Sequence, residues 1–365
     1  MAITKIPAAG FTGNNFRNII INGDMSIAQR GTSSSGISST GYYTVDRFNF
    51  VDSNLGTFTM SQDTDVPTGQ GFSKSLKVDC TTADASPAGA DYLFLQTKFE
   101  GQNLQYIKKG TSSAESLTLS FWVKSVKTGT YIVQIEDVDN SSRFISKSYT
   151  IDSASTWEKK TITFAGDTTG TLAYDNSSSL ELNFWLGAGT DRTSGTLQTS
   201  WGSYTASNVA VGQVNFADST SNNFLITGVQ LEVGSAASDF EFLPYDVNLR
   251  RCMRYCQVLV NGDVNNYMCL GFAQSANLAN ILFPFYVEPR VPATGITVQN
   301  VNGFGATTVA SGGRGSAASF GQSSIYAAHW QLTTDTGSFV AGYPLFLYNY
   351  NTGLDAKIIF TGMEL

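Results

Sequence analysis

The chain has one histidine, His329, in the run Tyr326-Ala-Ala-His-Trp-Gln-Leu. A serine–histidine–aspartate relay would need that imidazole to take the nucleophile's proton. Nothing beside it resembles a nucleophile turn, and Gly312-Gly-Arg-Gly-Ser316 has the wrong spacing. His329 is expected to be a strand histidine with a satisfied hydrogen bond. The same stretch and Gly303-Phe-Gly305 lack the lysine and following helix that a phosphate cradle requires. A sugar-cleaving pair of carboxylates would have to come from Glu136, Asp137, Asp139, Asp175, Glu181 and Asp191, and spacing along the chain sets no two of them at a working separation. The short sequence period of long parallel β-helices is also missing. The expectation is a protein without catalytic activity.

Two constellations point to binding. Glu136-Asp-Val-Asp-Asn140 gathers oxygen ligands at a hairpin, so Glu136, Asp137 and Asp139 form a candidate calcium site, the alternative being a polar turn. It lacks the glycine and distant glutamate of an EF-hand. Trp122 and Trp185 each fall on the polar phase of an alternating run, so both indoles are expected to point away from the core. Outward indoles beside polar groups could stack on the apolar C–H faces of sugar rings. Alternatively, that outer face is covered by the N-terminal segment, the second domain or a neighbouring subunit. Cys80, Cys252, Cys256 and Cys269 match no zinc spacing and are expected to be small buried apolar residues.

The elements that would position these residues are strands. Leu117, Leu119, Phe121 and Val123 alternate with polar residues, as do Leu180, Leu182, Phe184 and Leu186. Period two marks a half-buried antiparallel strand. Similar runs lie at 47–50, 57–61, 75–78, 131–135, 160–164 and 225–233, separated by turn clusters at 127–130, 139–142 and 166–170. Residues 246–257 break the rhythm: Asp246 can cap a helix that sets Leu249, Cys252, Met253 and Cys256 on one face. Strand patterns resume at 257–260, 267–273, 280–287, 295–299, 324–333, 345–350 and 357–360, while 303–321, rich in Gly, Ala and Ser, is expected to form long loops. Residues 18–22 form a short β run, and 31–40 have the Ser/Thr/Gly composition of a linker.

The fold expected is all-β: a jelly-roll-like β-sandwich followed by a short helix and a smaller second β domain. Its parts are an N-terminal attachment segment 1–40, the sandwich 41–240, a linker with the helix 241–257 and a C-terminal β domain 258–365. Aromatics at 12% and 35 glycines suit many short strands and tight turns. A net charge of −7 with no basic run argues against a nucleic-acid partner. No apolar run reaches membrane-spanning length, and the first residues lack the apolar core of a secretory signal. Membrane insertion is therefore not expected, and synthesis is expected in the cytoplasm.

Several phrases of the chain resemble segments of the fibre and appendage proteins of tailed bacteriophages. NIIINGDMSIAQRGT at 18–32 is followed after a variable loop by Tyr43-Thr-Val-Asp-Arg47. LSFWVKS at 119–125, ITGVQLEVG at 226–234 and FEFLPYDVNLRRCMRY at 240–255 are similar to further segments of those proteins, as are Glu288-Pro-Arg-Val-Pro292 and the final Met363-Glu-Leu365. Asn248, Leu249 and Cys256 depart from the usual pattern, and the likeness is weak over 258–365. The resemblance implies a structural virion protein, made in the host bacterial cytoplasm, with a carbohydrate-binding type of sandwich and no catalytic residues. It leads to the expectation of a tail fibre, spike or appendage that binds a host surface receptor, a glycan. The alternatives are a capsid decoration protein, cement or head fibre, and a free lectin-like module. No shaft repeat or coiled coil is present, which favours a compact appendage or decoration protein. Expected partners are other virion proteins and two further copies in a homotrimer, inferred from the N-terminal segment's lack of its own core material and the outward tryptophans.

Overall fold

A computed structural model describes residues 16–260, 267–308, 311–336, 339–350 and 354–365. The first residues, read above for a secretory signal, and the start of the attachment segment lie outside the described residues. The alternating runs become twenty strands: β1 (Ser33–Ile37), β2 (Asn49–Ser53), β3 (Thr57–Asp63), β4 (Ser75–Thr82), β5 (Tyr92–Glu100), β6 (Leu117–Ser125), β7 (Gly129–Asp137), β8 (Arg143–Ile151), β9 (Glu158–Phe164), β10 (Ser178–Ala188) and β11 (Asn223–Val233), then β12 (Gln257–Val260), β13 (Tyr267–Ser275), β14 (Leu278–Pro284), β15 (Gly295–Gln299), β16 (Phe304–Thr307), β17 (Gly312–Ser323), β18 (Ala327–Thr334), β19 (Pro344–Asn349) and β20 (Lys357–Thr361). The α-helices among the described residues are a single turn, α1 (Thr190–Thr193), and α2 (Tyr245–Met253).

Two antiparallel sheets make the sandwich. One has the order β1-β3-β4-β11-β6-β9, the other β2-β5-β10-β7-β8. Phe58, Leu76, Leu119, Phe121, Val123 and Ile226 from the first meet Phe50, Leu95, Tyr131, Val133, Leu182 and Phe184 from the second in one core. Phe121 packs edge-on against Phe184 at 5.2 Å. Period two thus translated directly into an inner apolar face.

The second domain is a closed six-stranded barrel, β13-β14-β18-β17-β16-β19, beside the three-stranded sheet β12-β20-β15. Residues 303–321, expected as loops, hold β16 and all but the last two residues of the twelve-residue β17. The small residues have a packing reason. Trp330, Phe304 and Leu332 fill the narrow barrel, and a Cβ on Gly315 would lie 2.9 Å from Leu332 and 2.7 Å from a backbone carbonyl. Glycine there makes room for the large residues opposite rather than for flexibility.

Residues 31–40 also differ from the linker expected. β1 pairs along the edge of β3, with Ile37 opposite Phe58 and buried. An edge strand needs backbone pairing and one apolar anchor, so Ser/Thr/Gly composition does not exclude it. Residues 18–22 form no strand. Their Ile19, Ile20 and the following Met25 enter the sandwich core, and Ile19 N–H donates to the Leu231 carbonyl at 2.8 Å. The described part of the attachment segment packs on its own chain. Gly23 is required there: a Cβ would sit 2.0 Å from the Val229 carbonyl oxygen of β11.

Pro244 holds the capping position before α2 and makes no side-chain cap, and Asp246 lies in the first turn. There it can oppose the positive end of the helix dipole instead of capping a free N–H. Among the described residues no helix is long and apolar enough to cross a membrane.

Candidate binding groove

On β6, Trp122 alternates out of the core between buried Phe121 and Val123, standing opposite Thr227 of β11 and Lys159 of β9. β11 shifts register between Thr227 and Gln230, and Gly228 takes φ +62° at the shift. A Cβ at Gly228 would meet the Phe72 ring at 2.5 Å, so glycine lets that ring lie flat on the sheet. Phe72 packs against Phe240 at 5.0 Å and Phe242 at 5.1 Å. The result is an open groove of about 330 Å³ walled by Trp122 and these phenylalanines, with Gln70, Ser120, Lys159 and Asp239 at its edges. Among the described residues, the side-chain polar groups of these four residues and the indole N–H of Trp122 make no hydrogen bond or ion pair. They are available to a ligand, and the apolar wall would remove one face of it from water.

Trp185 differs. It also points out of the main core, but α1 and the loop through residue 210 cover it, and it is 3% exposed. Its indole N–H donates to Gln134 Oε1 at 3.1 Å, which also accepts from Asn183. Only a recess of about 100 Å³, with Tyr92, Phe94, Arg192 and Tyr204, remains above it. Trp122 and Trp185 stand on the outer faces of opposite sheets, so the joint glycan site expected from the sequence does not form. Sequence phase gave the direction of both side chains; it held no signal for a cover arriving from residues 190–215. Phe72, Phe240 and Phe242 were missed. The alternation of Phe240 and Phe242 was the available signal.

The calcium candidates are separated. Asp137 is buried in an ion pair with Lys109 and also accepts from Asn140. Glu136 faces the opposite side, above the recess, where burial pushes its carboxyl up. Asp139 accepts from Ala173 N–H at 2.9 Å. Adjacent strand residues point to opposite faces, which is why a sequence cluster is not a spatial one. Among the described residues no group of three or more His, Cys, Asp or Glu could hold a metal. His329 Nε2 lies 3.0 Å from Asn280 Oδ1, the satisfied strand histidine expected. Cys80, Cys252 and Cys256 are buried free thiols, and Cys269 is half-buried.

The distinctive phrases at 18–47 and 240–255 converge elsewhere, at the junction of the two domains. Arg47 is buried, with its guanidinium 3.6 Å from the Tyr255 ring centroid; it donates to Glu364 and, at 2.8 Å, to the Lys98 carbonyl. Arg30 pairs with Glu364 at 3.0 Å. Arg254 grips Glu100 with two hydrogen bonds of 2.7 and 2.8 Å, and Tyr255 donates to the same carboxylate at 2.5 Å. Although desolvation opposes it, these donors hold the Glu100 carboxyl below the usual range. Arg290 ties in the Met363 and Glu364 carbonyls. Every residue of the network has a structural partner, so the motifs build the joint between domains.

Asp46 in this joint has a pH consequence. Burial pushes its carboxyl up to about 6, from an ordinary 3.8, despite Arg30 at 3.6 Å and hydrogen bonds from Gln29. Between those values the folded state holds the proton more tightly than the unfolded chain. This group's contribution is therefore fully present below about pH 4 and lost as pH rises through about 6. Asp46→Asn lacks the term, so its stability relative to wild type should rise by on the order of 2–3 kcal/mol between pH 4 and pH 7. Urea denaturation across that range reads it; a constant difference would contradict it.

No protein-family model matches the chain, and no curated protein matches it. Similar solved structures include the enzymatically active domain of tailspike protein 4 of bacteriophage CBA120, at 14% identity and a TM-score of 0.31, over 60% of this chain and 22% of that one. A putative sugar binding protein from Bacteroides thetaiotaomicron is similar at 10% identity and a TM-score of 0.31, over 59% of this chain and 99% of that one. The N-terminal cellulose-binding domain of a Cellulomonas fimi β-1,4-glucanase is similar at 14% identity and a TM-score of 0.28, over 58% of this chain and 100% of that one.

Proposed function

We propose that this chain is a non-enzymatic appendage protein of a tailed-bacteriophage particle that binds a host-surface glycan in the Trp122 groove. The virion assignment is supported by the phrases at 18–47 and 226–255, and its partners there are other virion proteins. The glycan assignment is carried by one observation: a half-buried outward indole in an open groove whose polar groups have no partners of their own. A sugar offers an apolar ring face to the indole and hydroxyls to Gln70, Ser120, Lys159 and Asp239. The non-enzymatic assignment is supported by the single histidine's engagement with Asn280 and by the structural pairing of Asp137 and Glu181.

Glycan-array binding by the full chain tests this. Trp122→Ala should weaken the bound glycan at least tenfold, about 1.4 kcal/mol or more, with little change in melting temperature because the indole is already half in water. Undiminished binding by Trp122→Ala removes the groove assignment. Absence of the chain from purified particles removes the virion assignment.

A further inference from the structure

Among the described residues, eleven of the seventeen large apolar side chains that are exposed lie within residues 260–350. They concentrate on the outside of the barrel. On the β13–β19 pair, Leu270 stands opposite Phe346 and Phe272 opposite Pro344. The Tyr267 ring packs on Phe346 at 4.8 Å. Leu282 extends the surface onto β14, which pairs with β13. These residues alternate with the barrel's interior set, Ala273, Ile281, Phe283, Leu345 and Leu347. Both faces of this wall are therefore apolar, although only one is needed for the fold. None of the three strands contains Asp, Glu, Lys or Arg.

We propose that the outer wall of β19, β13 and β14 is where copies of this chain associate into a closed homo-oligomer. Size is the first argument. Tyr267, Leu270, Phe272, Leu282, Tyr343 and Phe346 are each 40–66% exposed, together on the order of 600–700 Å², within the range that one partner contributes to a standard stable interface. It lies at the upper end of the roughly 300–600 Å² typical of the largest apolar patch on a monomer, a patch that is often functional. Composition is the second. A wall rich in Tyr, Phe and Leu and free of charge has the makeup of an interface core. A second copy brings an equally uncharged wall, so no charge is left buried and unpaired. Position is the third. Of the surfaces the sequence offered for neighbouring subunits, Trp185 is covered by the chain itself, Ile19, Ile20 and Met25 of the N-terminal segment enter its core, and Trp122 lines the groove. The barrel wall is left to do that work, and it leaves the Trp122 groove on the sandwich free.

Sedimentation equilibrium of the full chain at micromolar concentration tests the proposal. The expected result is a dimer or trimer that Leu270→Asp and, separately, Phe346→Lys each weaken at least tenfold. Both side chains point out of the barrel, so the variants should keep the wild-type circular dichroism spectrum; two strands are used so that misfolding of one variant does not decide the question. A monomeric wild type, or an oligomer that neither variant weakens, overturns the proposal. Glycan binding by the monomeric variants reads the Trp122 groove separately, so the two assignments fail independently.

Discussion

Arg47→Ala should lower stability by about 3–5 kcal/mol, the cost of stranding a buried charge. The guanidinium joins three parts of the chain: Glu364 beyond β20, the Lys98 carbonyl on β5 and the Tyr255 ring after α2. Its removal leaves Glu364 with Arg30 alone and exposes a cavity beside Tyr255. Since the contact spans both domains, urea denaturation should show the midpoint falling and the single transition dividing into two as the domains uncouple. Arg47→Lys keeps the charge but cannot donate to Glu364 and Lys98 from one planar fork while stacking on Tyr255, so it should recover only part of the loss. A deficit under about 1 kcal/mol for Arg47→Ala would show that the junction is not held this way.

Lys109→Met should cost a similar amount, about 3–5 kcal/mol, inside the sandwich. The Lys109 ammonium is buried between Asp137 and Asp167, the latter at 3.0 Å, and donates to the Thr169 and Gly170 carbonyls at 2.9 Å each. Arg143 remains for Asp167, whereas Asp137 loses its counter-ion. Asp137→Asn added to Lys109→Met should therefore recover a substantial part of the loss, because a neutral amide needs no cation. Simple additivity of the two substitutions would contradict the pairing. Of the three residues that the sequence suggested for calcium, Asp137 alone faces this lysine.

Much of the sandwich was legible because its strands repeat at the period of the pleat. Leu119–Val123 and Leu180–Leu186 gave both the strand and the buried face. The barrel was less legible, since β17 is built of Gly, Ala and Ser and has meaning only beside Trp330, which fills the space those residues vacate. The edge strand β1 failed for a related reason: edge pairing uses backbone groups that composition does not encode. At the candidate site, phase set the direction of Trp122 and Trp185 correctly. It held no information on cover, which is a long-range property, and so the free indole and the covered one looked alike. The shared phrases were conspicuous in sequence, and their job, tying residues 30–47 to 250–255 and 364, required the fold to be seen.

β11 occupies the middle of the six-stranded sheet, hydrogen-bonded to β4 on one side and β6 on the other. It is also the last strand of the sandwich to leave the ribosome. Until residues 223–233 emerge, β4 and β6 are both open edges, each able to capture a strand from another nascent chain. Closing the sheet then requires pairing Ile226 with Leu76 across a long loop, a slow step because the loop entropy is lost before the contacts form. The yield of folded chains is set in that interval, by how quickly one central strand arrives compared with how often two unfinished chains meet.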